Sequence, residues 1–225
     1  MLTPFQKRRA DQLISVFENE TLELQYGYID NLHDGRGYTA GRAGFCTAEG
    51  DLLEVVERFP VDFKKLLPTL RNLAKYKSGS THFLGGLPAA WKHACLNQIF
   101  KDAQDFVSDK LYYYPAMVHA DRHGFQYDLT KVAIYEAIIQ HGDGDDHDSL
   151  GGLIKRSGPV SDEKTWLKKF MEVRRETLIY PHDPDTRDEW QKSVGRANSM
   201  ISLLNNMYFT GPITVNPFGT EFTIL

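Results

Sequence analysis

Leu129-Thr130-Lys131-Val132-Ala133-Ile134-Tyr135-Glu136-Ala137-Ile138-Ile139-Gln140 is the stretch that decides the fold class. Apolar residues fall on nearly every side of it, so the pattern predicts a buried central helix. One ionisable group, Glu136, sits among them. A carboxylate in such surroundings must be paired or neutralised. Two arginines are placed to answer it. Arg174 falls on the helical stripe Leu167, Phe170, Met171, Leu178, and Arg187 lies one turn before Trp190 on the inward stripe of the last helix. A buried Arg–Glu–Arg cluster is therefore expected; the competing reading lets each arginine snorkel to the surface.

Outward from this helix the chain reads as mostly helical. Thr3 can cap a first helix with Pro4 at its first position, and Ala10, Leu13, Ile14 and Phe17 keep helical spacing. Between Leu22 and Cys46, aromatics and small residues alternate around Asp34-Gly35-Arg36-Gly37, which predicts a turn and a short hairpin or small sheet. Leu52, Val55, Val56 and Phe59 resume a helical stripe. Pro68 must kink a helix or open a new one. Pro88 can start a helix carrying Trp91, Cys95 and Ile99. Ser161 is expected to cap a helix through about Leu178, and Trp190, Val194, Ala197, Ile201 and Leu204 mark one last long helix. From Gly211 the chain reads as extended or irregular. The expected fold is α+β and mainly α: one domain, residues 1–225, of two lobes with a cleft between them. A minor lobe with the β element spans about 19–50, and the major helical lobe spans about 51–225 plus the first helix.

Composition narrows the partners. With 30 acidic and 26 basic residues the net charge is −4, which argues against a nucleic-acid binder and suits a cationic ligand. No apolar run is long enough to span a membrane. Lys7, Arg8 and Arg9 are not followed by an apolar stretch, so the start is not expected to be a signal peptide. Cys46 and Cys95 either form one bridge or pack as two free thiols. Nothing reads as a dimer seam, so a monomer is expected.

Two carboxylates stand out. Glu18 follows Ile14 by four residues and borders the apolar stripe of the first helix, where partial burial would suit a general acid. The plainer reading is a solvated glutamate at a helix end. Asp34 precedes Gly35 in a turn sequence, which is where aspartate commonly serves the turn alone. The segment from His141 to Asp148 is dense in carboxylates but lacks the register and closing glutamate of a calcium loop. It reads as a solvated acidic loop that would attract cations, and no metal is assigned to it.

The run from Glu18 through Gln25, Tyr28, Asp30, Asp34-Gly35-Arg36-Gly37, Thr39, Gly41, Gly44-Phe45-Cys46 and Gly50 to Asp51 resembles the signature of the chitosanases of glycoside hydrolase family 46. Trp91, Glu136 in Tyr-Glu-Ala-Ile-Ile-Gln-His-Gly, Arg174 and Arg187 follow in the family's order, so the resemblance covers nearly the whole chain. It implies a two-lobed lysozyme-like fold and inverting endo-hydrolysis of chitosan or glucosamine oligosaccharides, without cofactor or metal. Carried over, Glu18 is the general acid, Asp34 the general base, and Thr39 helps to hold the attacking water. Tyr28, Arg36 and Asp51 line the cleft, with Asp51 meeting a substrate ammonium; His141 and Asp143 are assigned to the substrate as well. Glu136, Arg174 and Arg187 resemble a salt-bridge network behind the acid. Secretion is implied by the resemblance alone. The Glu18–Asp34 spacing is two residues shorter than in relatives, and Leu24 stands where the family carries a tryptophan.

Overall fold

Eleven α-helices and five short strands make up the regular structure of the computed structural model, which describes residues 1–225. The helices are α1 (Pro4–Asn19), α2 (Asp51–Arg58), α3 (Leu67–Lys75), α4 (Leu87–Ala94), α5 (Gln98–Ser108), α6 (Tyr114–Arg122), α7 (Asp128–His141), α8 (Leu150–Ser157), α9 (Glu163–Ile179), α10 (Arg187–Lys192) and α11 (Val194–Ser202). The strands are β1 (Ile29–Asn31), β2 (Tyr38–Ala40), β3 (Phe45–Cys46), β4 (Ile213–Val215) and β5 (Phe222–Ile224). The fold is mainly α with a small sheet, as expected. No helix is long and apolar enough to cross a membrane.

The chain forms two compact units, each with its own core. One joins Met1–Glu23 to Tyr112–Leu225; the other is Leu24–Leu111. Residues 51–111, expected in the helical lobe, thus group with the sheet. The reason is packing: Phe45 of β3 and Ile29 of β1 share one apolar cluster with Leu52, Val55, Phe63, Trp91 and Phe100. A sheet this small cannot bury its face alone and recruits the helices that follow it in the chain.

In the first unit α1 opens with a capping box. The Thr3 hydroxyl accepts from Gln6 N, and the Gln6 side chain accepts from Thr3 N. Helix α7 is buried nearly all round, Glu136 included. Its apolar residues share the core with Leu13, Phe17, Trp166, Phe170 and Met200. The tail is more regular than expected, since β4 and β5 pair antiparallel with Thr214 opposite Thr223.

In the second unit β1, β2 and β3 form an antiparallel sheet in that order. Asp30 faces Thr39, and Thr39 faces Cys46. Pro68 opens α3. The helix expected to carry both Trp91 and Ile99 breaks instead. The Asn97 side chain accepts from Ile99 N and caps a new helix, α5, which leaves Ile99 exposed. Likewise Asp162, one residue after the expected Ser161, caps α9 through Thr165 N. Both cysteines are free thiols.

Candidate active site

Glu18 stands at the last turn of α1, which ends where Glu20 turns into the left-handed region at φ 53°. Its side chain keeps 39% of its surface exposed, nearer the plainer expectation of a glutamate at a helix end than a buried carboxyl. It is not free, however. Arg196 Nη2 lies 2.5 Å from Glu18 Oε1. The same Nη2 donates to Glu136 Oε1 at 2.9 Å, and Arg196 Nε donates to that oxygen at 3.1 Å. From α9, Arg174 Nη2 donates to Glu136 Oε1 at 2.8 Å, with Nη1 2.5 Å from Oε2. Glu136, Arg174 and Arg196 are all buried.

The expected cluster therefore exists, with one member corrected. Arg187 is exposed at the start of α10 and takes no part. The last long helix is interrupted at Ser193, so a stripe drawn through Trp190 and Ala197 does not hold one phase. Arg196 on α11 fills the place. The signal that marks it is Gly195. A Cβ there would fall 1.7 Å from Pro217 O, so the glycine lets α11 seat against the backbone of Pro217. A glycine inside a helix commonly marks such a close approach.

His141 also departs from expectation. It is buried, and both ring nitrogens are used within the protein. Nδ1 lies 3.0 Å from Asp148 O, and Arg174 Nε donates to Nε2 at 3.2 Å. The Trp190 ring meets it edge-on at 5.1 Å. Burial, then the neighbouring Arg174 charge, holds its pKa well below the usual histidine value. The His141 ring has no polar atom left for a sugar, against the expectation that it contacts substrate. Asp143 is exposed in the loop that follows, 2.6 Å from His119 Nε2.

The other candidate residues lie in the second unit. Asp34 occupies the β1–β2 turn, where His33, Gly35 and Gly37 all have positive φ. Its Oδ1 accepts from Arg36 N at 3.0 Å, and its Oδ2 accepts from Arg36 Nε at 2.9 Å and Nη2 at 2.7 Å. The Arg36 side-chain bonds, then its backbone bond, hold the Asp34 carboxyl below its ordinary pKa. The turn is backed by Gly79, where a Cβ would lie 1.8 Å from Gly35 O. Thr39 is buried on β2 with its hydroxyl 3.5 Å from Cys46 Sγ. Asp51 opens α2, and its Oδ1 accepts from Cys46 N at 2.7 Å and Leu52 N at 2.8 Å. Burial raises its pKa. Tyr28 is 41% exposed, with its hydroxyl pKa raised by burial and by Asp30.

A supporting cluster went unread in the sequence. Trp91 Nε1 and Gln104 Nε2 both donate to Tyr26 O, at 2.9 and 3.1 Å. The Tyr26 hydroxyl bonds Asp105 at 2.9 Å, and Arg42 Nη1 pairs with Asp105 at 2.7 Å. Helices α4 and α5 thereby grip both ends of the segment that carries Tyr28, Asp34, Arg36 and Thr39. Residues 63 to 79 apart in the chain give no periodic signal for such a clamp.

Comparison with known proteins gives one concordant result. The family profile of glycosyl hydrolase family 46 matches residues 12–213. A chitosanase of Bacillus subtilis (strain 168) is 49% identical, over 95% of this chain and 83% of the relative. A solved complex of a Gynuella sunshinyii chitosanase with chitotetraose superposes with a TM-score of 0.86 at 44% identity, covering 100% of this chain and 99% of that one. A mutant chitosanase from Bacillus subtilis MY002, complexed with 6 GlcN, gives a TM-score of 0.86 at 48% identity, covering 100% of both chains.

Proposed function

The chain belongs to glycosyl hydrolase family 46 and is a glycoside hydrolase, and from that premise we propose that it cuts chitosan within the polymer, at β-1,4 bonds between glucosamine units, with inversion. In this reading Glu18 is the general acid and Asp34 the general base. Asp34 takes a proton from water as the water oxygen bonds to the anomeric carbon. The bond from that carbon to the leaving oxygen breaks, and Glu18 protonates the leaving oxygen. Inversion requires the two carboxyls to stand roughly 6.5 to 9.5 Å apart, so that water fits between one of them and the sugar.

The observation that carries the assignment is the division of partners between the two carboxyls. Arg36 keeps Asp34 ionised, the form a base needs. Arg196 engages one oxygen of Glu18 and holds that carboxyl in place at the end of α1. Thr39, buried beside Cys46, is suited to hold the water, and Asp51 and the exposed Asp143 are suited to ammonium groups on the sugar rings. Tyr28 and Arg36 offer polar contacts to the hydroxyls. The polymer is too large to enter a cell, so the enzyme is read as acting outside it, as a monomer.

The test is release of reducing ends from highly deacetylated chitosan by wild type, Glu18→Gln and Asp34→Asn. Rapid loss of viscosity with wild type, and a rate loss of about a thousandfold or more in each variant, is expected. Near-full activity in either variant removes that residue from its role. Wild type that binds chitosan without cutting it removes the substrate reading.

A further inference from the structure

His141 is bracketed by two partners whose chemistry leaves it one protonation state. The Asp148 carbonyl can only accept, so Nδ1 carries a hydrogen and donates to it. The Arg174 guanidinium can only donate, so Nε2 carries none and accepts from it. The ring is the neutral Nδ1-protonated tautomer. A second proton would cost the Arg174 bond and set a cation among Arg174 of α9, Arg196 of α11 and Arg156 of α8, opposed by Glu136 on its own helix and by Asp148.

The bonds made by this ring continue a chain already described. Glu18 is held by Arg196, Arg196 by Glu136, Glu136 by Arg174, and Arg174 by His141. His141 then ends the chain on the backbone of the acidic loop, residues 142–149. That loop is itself firmly built. Leu150 N donates to Gly142 O, Gly151 N donates to Gly144 O, and Asp146 accepts from Asp148 N and Ser149 N. Gly151 and Gly152 admit it closely, since a Cβ on either would come within 2.4 Å of loop atoms.

We propose that His141 is a positioning residue of the reaction: one ring fixes both the buried ion-pair chain that holds Glu18 and the loop that carries Asp143. This rests on the reading of Glu18 as the acid and of the loop as a substrate contact. The consequence is that the two functions of the ring separate by substitution. An asparagine amide reaches about as far as Nδ1, so His141→Asn keeps the bond to Asp148 O and loses the acceptor for Arg174 Nε. A glutamine amide reaches about as far as Nε2, so His141→Gln keeps the Arg174 acceptor and loosens the loop.

The experiment measures kcat and KM on chitosan, and the folded state by circular dichroism, for wild type and both variants. His141→Asn is expected to lower kcat about tenfold to a hundredfold with KM little changed, the effect of misplacing a reacting group slightly. His141→Gln is expected to raise KM severalfold with kcat near wild type. A merely structural histidine would lower the melting temperature in both and leave kcat and KM of the folded protein alone; that result overturns the proposal. Should neither variant fold, nitrogen NMR of histidine-labelled wild type decides. At a pH where an ordinary histidine, with a pKa of about 6.5, is mostly charged, His141 is expected to stay neutral with its proton on Nδ1, and a doubly protonated ring there overturns the proposal. Wild type inert on chitosan would strike the functional reading instead, with the NMR result still standing or falling separately.

Discussion

Arg196 stands 2.5 Å from Glu18 and, with the same nitrogen, 2.9 Å from Glu136. One guanidinium thus ties a partly exposed carboxylate at the end of α1 to a wholly buried one on α7. Removing it leaves Glu136 with Arg174 alone and Glu18 without an anchor. Breaking a buried pair by deleting one partner costs about 3–5 kcal/mol. Arg196→Ala is therefore expected to lose about that much stability in urea unfolding, together with most activity. Arg187→Ala, at an exposed position, should stay within about 0.5 kcal/mol of wild type. Equal losses from the two would contradict the corrected network.

The pH dependence of activity should report the Asp34–Arg36 pair. Arg36 depresses the Asp34 pKa, so Asp34, the base of the proposed mechanism, stays ionised, and activity is expected to survive further into acid than an unassisted aspartate would allow. Arg36→Ala returns the pKa upward. The acidic limb of the kcat/KM profile is then expected to move to higher pH, and Arg36→Lys should fall between. An unmoved limb would mean that Asp34 is not the group titrating there.

Asp51 separates charge from structure. Burial raises its pKa, so between the unfolded value of about 3.9 and the raised folded value the native state binds more protons, and stability falls as pH rises through that window. Asp51→Asn keeps an oxygen for Cys46 N and Leu52 N and removes the buried charge. It is expected to be as stable as wild type or more so at neutral pH, with kcat/KM on chitosan about tenfold to a hundredfold lower for loss of a charge-assisted bond. Asp51→Ala strands both backbone donors and should cost about 1–3 kcal/mol by thermal unfolding as well.

Gly79 supports the Asp34 turn from behind. A methyl group there would meet Gly35 O at 1.8 Å, so the Asp34 turn must shift. Gly79→Ala is expected to reduce kcat by about a hundredfold, the scale of a 1 Å displacement of a reacting group. Assay beside Gly85→Ala is the control, because a Cβ at Gly85 has nothing within 4 Å. Wild-type kcat in Gly79→Ala would show that the turn does not depend on this contact.

Where a periodic pattern runs unbroken, the sequence is legible. Helix α7, the Thr3 cap of α1 and the turn around Asp34 all follow from local spacing. The misreadings share a cause, which is a break inside an apparently continuous stripe. Asn97 restarts a helix where the spacing of Cys95 and Ile99 predicts a single one, and Ser193 shifts the phase between Trp190 and Arg196. A break inside a run alters which side chains face inward, and apolar spacing alone does not record it. The role of His141 was hidden for another reason. A histidine closing a buried helix beside four aspartates reads as part of the acidic loop, whereas its partners come from α9 and from a carbonyl.

The ion-pair chain alternates in sign from Glu18 through Arg196 and Glu136 to Arg174, and its interior is shut from water. Dissolved salt screens exposed charges over a Debye length of about 8 to 10 Å but reaches buried pairs far less. The attraction between an acidic surface and a polycation lies on the screened side of that division, and the anchoring of Glu18 lies on the other. In rising salt the enzyme should lose its grip on the polymer while its turnover, once loaded, holds steady, so that ionic strength acts on capture and leaves cleavage untouched.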